Sequence, residues 1–333
     1  MKIQMTTLGL GQIGASIGMA LTDKSDLIYR VGYDLNPKVM RKASKLGVVD
    51  KTTSHLKKVI ETSDVILMAI PTNEMQAMLE EIAPLMKEGA ILLDTALSKE
   101  KVAIWAAGLL PKGCSYVGLT PVINPEYLVN THSGIDSARA DLFHNGMIAI
   151  SAPPETEPKA VKFAADLTRL LGASALFADM LEVDSVMSAT HIIPRLMAAA
   201  LLNATVNQPN WRDAGRMAGR AYAEVSGPIE HLGLPATLAS NALQNRDHVL
   251  RVLNSVIASI EILRDDIAAE DADQLIQRLE RAHESRDQWW KDRHPDASPK
   301  RKPSIEGPSI SSVLFGEMLR PDRRKRMQEE QDN

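Results

Sequence analysis

The chain has 333 residues, 44% of them hydrophobic, with a formal net charge of −4 and a single cysteine. That length suggests one large or two ordinary domains of about 150 residues each, and the near-neutral charge gives no ground for a nucleic-acid partner. The lone Cys114 excludes an internal disulfide and predicts a reducing, cytoplasmic setting. No apolar run approaches the ~18 residues of a membrane span, and the start lacks the layout of a signal peptide. A soluble protein with no membrane partner is expected. Aromatic residues make up only 4%, so the core must be built from aliphatic residues, Ala and Met.

The first predicted elements are the most specific. Met5–Leu8 leads into Gly9, Gly11 and Gly14, spaced G-x-G-x-x-G, and Ile13, Ile17, Ala20 and Leu21 then follow a helical pattern. Such a turn needs one glycine for its tight bend, one for backbone approach to a pyrophosphate, and one for close helix–strand packing. The anion would rest on free N–H groups at the positive end of the helix. Leu27–Asp34 reads as a second strand ending in an acid 20 residues after Gly14. That is where a carboxylate accepts from the adenosine ribose hydroxyls and repels a 2′-phosphate. The cofactor expected is NAD rather than NADP, held by Gly9, Gly11, Gln12, Ile13, Gly14 and Asp34.

Asn36-Pro37 starts a helix that Gly47 stops, and Leu56–Ile60 is a short second one. Asp64–Pro71 and Ala90–Asp94 are continuous apolar runs of strand length, suited to burial on both faces. Helices follow each, over Met75–Leu85 and Lys99–Leu109, and Ser115–Gly118 and Met147–Ile150 are further strands. Alternation of this kind predicts a Rossmann-type, doubly wound parallel sheet. Ligands bind such sheets beyond the carboxyl ends of the strands. The loops at Gly9, Asp34, Ile70-Pro71, Asp94-Thr95 and Leu119-Thr120 are therefore expected to share one crevice, with Ile70, Pro71 and Thr95 joining the cofactor set.

A helix over Glu157–Leu171 and a last strand over Ala173–Ala178 complete this part. Beyond it the pattern is helical with almost no strand signal, as in Asp247–Ala268. The expected division is a nucleotide-binding domain over 1–179, an all-helical dimerisation domain over 180–294, and a linker and tail over 295–333. The tail holds a Pro/Ser/Lys-rich stretch (Pro295–Pro308), a short apolar patch (Ile310–Leu319) and mixed charge that includes Arg323–Arg326. His132, His144, His191, His231 and His248 show no ligand spacing, so no metal is expected.

In order, Gly9–Ser16, Asp64–Pro71, the Asp94 segment with Lys99, Tyr116-Val-Gly118 with Pro121, Asp184–Leu201, Trp211–Ala218 and Asn245-Arg246 resemble the prephenate/arogenate dehydrogenase family over roughly residues 3–290. The resemblance implies a nucleotide domain joined to a helical dimerisation domain, a homodimer, and NAD(P)-linked oxidation of a ring hydroxyl with decarboxylation to an aromatic product. Its reaction half is altered here. The family carries Gly-His-Pro where this chain has Leu119-Thr120-Pro121, and a threonine cannot replace His as a base near neutrality. The family's serine in its Asp-x-Gly-Ser-Val-Lys segment falls on Leu97. Its Ser-His-Leu-Pro-His run falls on His191–Arg195, with His191 at the serine position and Ile192 and Arg195 at the histidines. Arg216 matches the Arg of its Thr-Arg-Ile-Ala, which binds a substrate carboxylate, a role suited to a guanidinium fork.

The resulting catalytic set is His191 as base, Arg195 and Arg216 as carboxylate holders, and Thr120 as a hydrogen-bonding hydroxyl. The reading is an NAD-dependent dehydrogenase of a carboxylated, cyclohexadienyl-type alcohol. The alternatives are a non-catalytic NAD-binding sensor, or a hydroxyacid dehydrogenase of other specificity, such as the 6-phosphogluconate or 3-hydroxyisobutyrate type. The absence of Lys from residues 180–206 counts against the last.

Overall fold

The computed structural model describes residues 2–129, 133–232 and 235–293. His132 and the whole expected tail, with Ile310–Leu319 and Arg323–Arg326, lie outside the described residues. Among those described, eight strands form one sheet: β1 (Ile3–Leu8), β2 (Ile28–Tyr33), β3 (Lys51–Thr52), β4 (Val65–Met68), β5 (Ile91–Asp94), β6 (Ser115–Val122), β7 (Met147–Ser151) and β8 (Ser174–Phe177). Their order is β3-β2-β1-β4-β5-β6-β7-β8, the nucleotide-binding order extended by two strands. The apolar runs of β4 and β5 are buried along their whole length.

Helices α1 (Gln12–Ala20), α2 (Pro37–Lys45), α3 (Leu56–Ile60), α4 (Thr72–Ile82), α5 (Lys99–Leu109) and α6 (Pro158–Leu170) cover the sheet on both faces. Ile3, Met5, Ile17, Phe163 and Leu167 pack in one core layer; Leu8, Met68, Met75, Leu79 and Val102 pack in the other. Local chemistry sets the ends of these helices. Asn36 caps α2 by accepting from the Lys38 N–H at 2.9 Å, with Pro37 in the first turn.

Two features differ from the sequence reading. The sheet is not parallel throughout: β7 runs antiparallel to β6, pairing Thr120 with Ala149, and β8 then runs parallel to β7. Among the described residues no crossover helix joins β6 to β7, only short 3-10 turns, so nothing forces the parallel direction. The antiparallel partner also lengthens β6 to Val122, which puts Leu119 and Thr120 inside a strand and not in a loop.

The helical part contains α7 (Met180–Met187), a π-helical turn over Ser188–Ile192, α8 (Ile193–Thr205), α9 (Trp211–Met217), α10 (Arg220–Ser226), α11 (Pro235–Gln244), α12 (Arg246–Ala268) and α13 (Ala272–Arg293). Met180–Thr205 runs as one helix of 26 residues, and an 18-residue window within it has mean hydropathy 1.3, apolar and long enough by length and composition alone to cross a membrane, as core helices of soluble proteins also can be. Asp184, Ser188, His191 and Arg195 interrupt its apolar residues at roughly helical spacing.

Candidate functional site

The first half of the site is the glycine turn. Gly9 has φ +89°, and a Cβ there would lie 2.4 Å from the Ala69 carbonyl oxygen. A Cβ on Gly14 would lie 2.0 Å from the Gly9 carbonyl oxygen, so α1 can approach β1 only with glycine at this position. Gly11 is different, because a Cβ there would meet nothing within 4 Å. The backbone is open at the position where a pyrophosphate would approach the start of α1. Asp34 holds the turn from β2: its Oδ2 accepts from the Leu10 N–H at 2.9 Å and its Oδ1 from the Asn36 N–H at 2.8 Å. Beside it lies a cavity of about 310 Å³ lined by Gly9, Gly11, Asp34, Ile70, Pro71 and Glu74 among others. Five of the expected cofactor residues thus meet around one space of ligand size.

The other cofactor candidates sit around this space in different ways. The side chain of Ile13 packs into the core layer. Gln12 turns aside, donating from Nε2 to the Ser137 carbonyl at 3.4 Å. Thr95 continues from β5 and binds the Met68 carbonyl through its N–H at 3.1 Å. Sequence reasoning missed Glu74, although an acid in the turn after Ile70-Pro71 was there to be read.

The second half lies where α7 and the π-turn cross the carboxyl ends of β5 and β6. Lys99 opens α5 fully buried, with Nζ 2.8 Å from Asp94 Oδ1, and the Tyr116 hydroxyl donates to Asp94 Oδ2 at 2.7 Å. Burial lowers the Lys99 pKa, against which Asp94 acts, and burial raises that of Tyr116. Asp184 of α7 accepts from the Lys99 and Glu100 N–H groups at 2.6 and 3.0 Å, capping α5 from another part of the chain. Its pKa is raised by burial, and these two hydrogen bonds oppose the shift. Asn245, at the start of α12, donates to the Ser98 hydroxyl. These contacts anchor the helical part to the loop after β5.

Thr120 is 2% exposed, and its hydroxyl has no hydrogen-bond partner among the described residues. Residues opposite one another in an antiparallel pair share a face, and Ala149, opposite Thr120, packs with Val183, Met187 and Leu97. Thr120 is therefore covered by α7, and Leu97 is an apolar wedge at the same junction. On the π-turn, His191 Nδ1 lies 2.9 Å from the Thr190 hydroxyl, and Arg195 Nη1 donates to the His191 carbonyl at 2.6 Å. Pro194 lacks an N–H for the regular ladder, and a π-turn is a common response to such a break, often found at functional sites. Burial, and then the Arg195 charge, pulls the His191 imidazole down to about 4. Arg195 is half-buried and has no carboxylate partner among the described residues. Asp184, Ser188, His191 and Arg195 recur at i, i+4, i+7 and i+11 and so share one helix face.

Arg216 stands apart. Its side chain is 74% exposed on α9, and its ion-pair neighbour is Asp213 of the same helix at 3.9 Å.

Residues 17–176 match the family profile described as "Prephenate dehydrogenase, nucleotide-binding domain". A prephenate dehydrogenase of Bacillus subtilis is 28% identical over 292 residues, covering 86% of this chain and 76% of that protein. The chain is thus similar to prephenate dehydrogenases over most of its length, and residues 17–176 carry that family's nucleotide-binding domain. A cyclohexadienyl dehydrogenase of Zymomonas mobilis is 23% identical, with 84% and 93% of the two chains covered. Among solved structures, the Aquifex aeolicus prephenate dehydrogenase in complex with hydroxyphenyl propionate and NAD+ superposes with a TM-score of 0.77 at 20% identity. That match covers 86% of this chain and 98% of the other. The family's fold is therefore the fold seen here, an NAD-type nucleotide domain followed by helices.

Proposed function

We propose that this chain, an NAD-dependent dehydrogenase of its family, oxidises a carboxylated cyclohexadienyl alcohol of the prephenate or arogenate kind. The supporting observation is Arg195, a half-buried guanidinium with no carboxylate partner, on the same helix face as a histidine kept neutral. A cation so placed favours an anion, and a guanidinium suits a carboxylate. Among the described residues, that counter-charge is missing.

The residues around the glycine turn fit NAD: an open backbone at Gly11, a fixed carboxylate at Asp34 and a cavity lined by no cation. When bound, NAD accepts the hydride. Arg195 holds the substrate carboxylate, and His191, neutral near pH 7, takes the hydroxyl proton as the carbonyl forms. Binding of the carboxylate also offsets the Arg195 charge that helps depress His191, so the base strengthens as the substrate arrives. Loss of CO2 leaves its bonding electron pair to complete the aromatic ring. Thr120 supplies a buried hydroxyl in want of a partner and no base. Arg216 joins the site only if α9 moves or a second subunit brings it there.

A homodimer through the helical part belongs to the same reading. Ile257, Ile260, Ile267, Ile276 and Leu279 are each roughly half exposed along α12 and α13, and only 28% of the most apolar 18-residue window of Met180–Thr205 is buried within one subunit. Exposed apolar area of this extent marks an interface. Cytoplasmic tyrosine biosynthesis is the setting such a reaction fits.

The test is Arg195→Gln assayed with NAD and prephenate or arogenate. A charged hydrogen-bonded partner in a buried site contributes about 2–5 kcal/mol, so KM rises by about thirtyfold or more while NAD affinity stays as it was. An unchanged KM removes Arg195 from the substrate site.

A further inference from the structure

The cavity beside the glycine turn carries two carboxylates, Asp34 and Glu74, and no Lys, Arg or His contributes to its lining. The two acids are not equivalent. Both oxygens of Asp34 accept backbone hydrogen bonds, from Leu10 and Asn36, so Asp34 is part of the turn's scaffold as well as a charge. Glu74 lies in the first turn of α4, after Ile70-Pro71. It is half-buried, and its carboxylate has no ion-pair or hydrogen-bond partner among the described residues. The positive end of a helix suits such a group, and among the described residues no cation pairs with it.

We propose that Glu74 is a second determinant of dinucleotide choice, whose carboxylate, lining the same cavity as Asp34, opposes the 2′-phosphate of NADP while leaving the neutral ribose hydroxyls of NAD unopposed. The inference rests on the reading of this cavity as the dinucleotide site. A 2′-phosphate adds close to two negative charges, and beside two carboxylates it has no cation to meet. Because Asp34 also shapes the turn, its replacement loosens the binding of either dinucleotide. Glu74 can change its charge without disturbing the backbone.

The experiment measures NAD and NADP dissociation constants by calorimetry on the full chain, for wild type, Glu74→Gln, Glu74→Lys and Asp34→Asn. One exposed charge pair is worth up to about 1 kcal/mol, roughly fivefold in affinity. The ratio of NAD to NADP affinity is therefore expected to fall by up to about fivefold in Glu74→Gln and further in Glu74→Lys. The Gln effect shrinks at high salt, because the screening length drops from about 10 Å at 0.1 M to about 3 Å at 1 M. Asp34→Asn is expected to weaken NAD itself. A ratio unmoved in both Glu74 variants, with wild type binding NAD normally, overturns this proposal alone. A wild-type chain that binds neither dinucleotide overturns the underlying reading and this proposal with it.

Discussion

Lys99→Met is a demanding test of how the crevice is held. Lys99 is fully buried, with Nζ 2.8 Å from Asp94 Oδ1 and 3.3 Å from the Asp94 carbonyl oxygen. Methionine keeps the length of the side chain and removes the charge. Asp94 retains the Tyr116 hydroxyl and the Ala96 N–H at 2.7 Å each, but no cation. Removing one partner of a buried pair costs about 3–5 kcal/mol, because the other charge is left uncompensated. At about 2–4 °C per kcal/mol for a domain of this size, the melting temperature should fall by about 6–20 °C. Thermal unfolding followed by circular dichroism measures it. The double variant Lys99→Met/Asp94→Asn removes the stranded charge and should recover at least half of the loss. A single variant within about 1 kcal/mol of wild type, or a double variant no better than the single, would refute the ion-pair account of this junction.

The glycines of the first turn make opposite predictions. Gly14→Ala forces a Cβ onto the Gly9 carbonyl at 2.0 Å, so it should cost about 1–3 kcal/mol of stability and NAD affinity together. Gly11→Ala meets nothing within 4 Å, so its melting temperature should hold while NAD affinity, measured by calorimetry, falls tenfold or more. His191 predicts a pH dependence. Its pKa is about 4 in the fold against about 6.5 when unfolded, so between those values the unfolded chain binds more protons. Stability should rise with pH through that window by up to about 3 kcal/mol, and urea titrations of His191→Gln should show a flatter profile.

The parts of the protein governed by local chemistry were legible in the sequence. The glycine spacing, the acid ending β2 and the buried runs of β4 and β5 each name a backbone demand that few other residues meet. The direction of β7 was not legible, because it depends on what joins two strands, and the stretch between Val122 and Met147 carries no helical period. The same gap hid the reach of that connection. Ile135 comes back to pack beside Leu10, and the Arg139 N–H donates to the Ser16 hydroxyl at 3.0 Å, contacts more than 100 residues apart in the chain. The π-turn had a signal in Pro194, inside an otherwise helical pattern. Motif order singled out His191, Arg195 and Arg216 alike, but only packing separates the first two, half-buried on one helix face, from Arg216 in solvent. The burial of Thr120 followed from the lengthened β6 and the helix laid across it, neither of which is visible in Leu119-Thr120-Pro121.

The central claim is that a family member with threonine at position 120 and arginine at 195 still oxidises a cyclohexadienyl carboxylate with NAD. The most direct measurement is NADH formation, followed by absorbance, with the full chain, NAD and either prephenate or arogenate. The account predicts steady turnover of at least one of them, with NADP a poorer acceptor than NAD. Tight NAD binding with no turnover of either compound would contradict it.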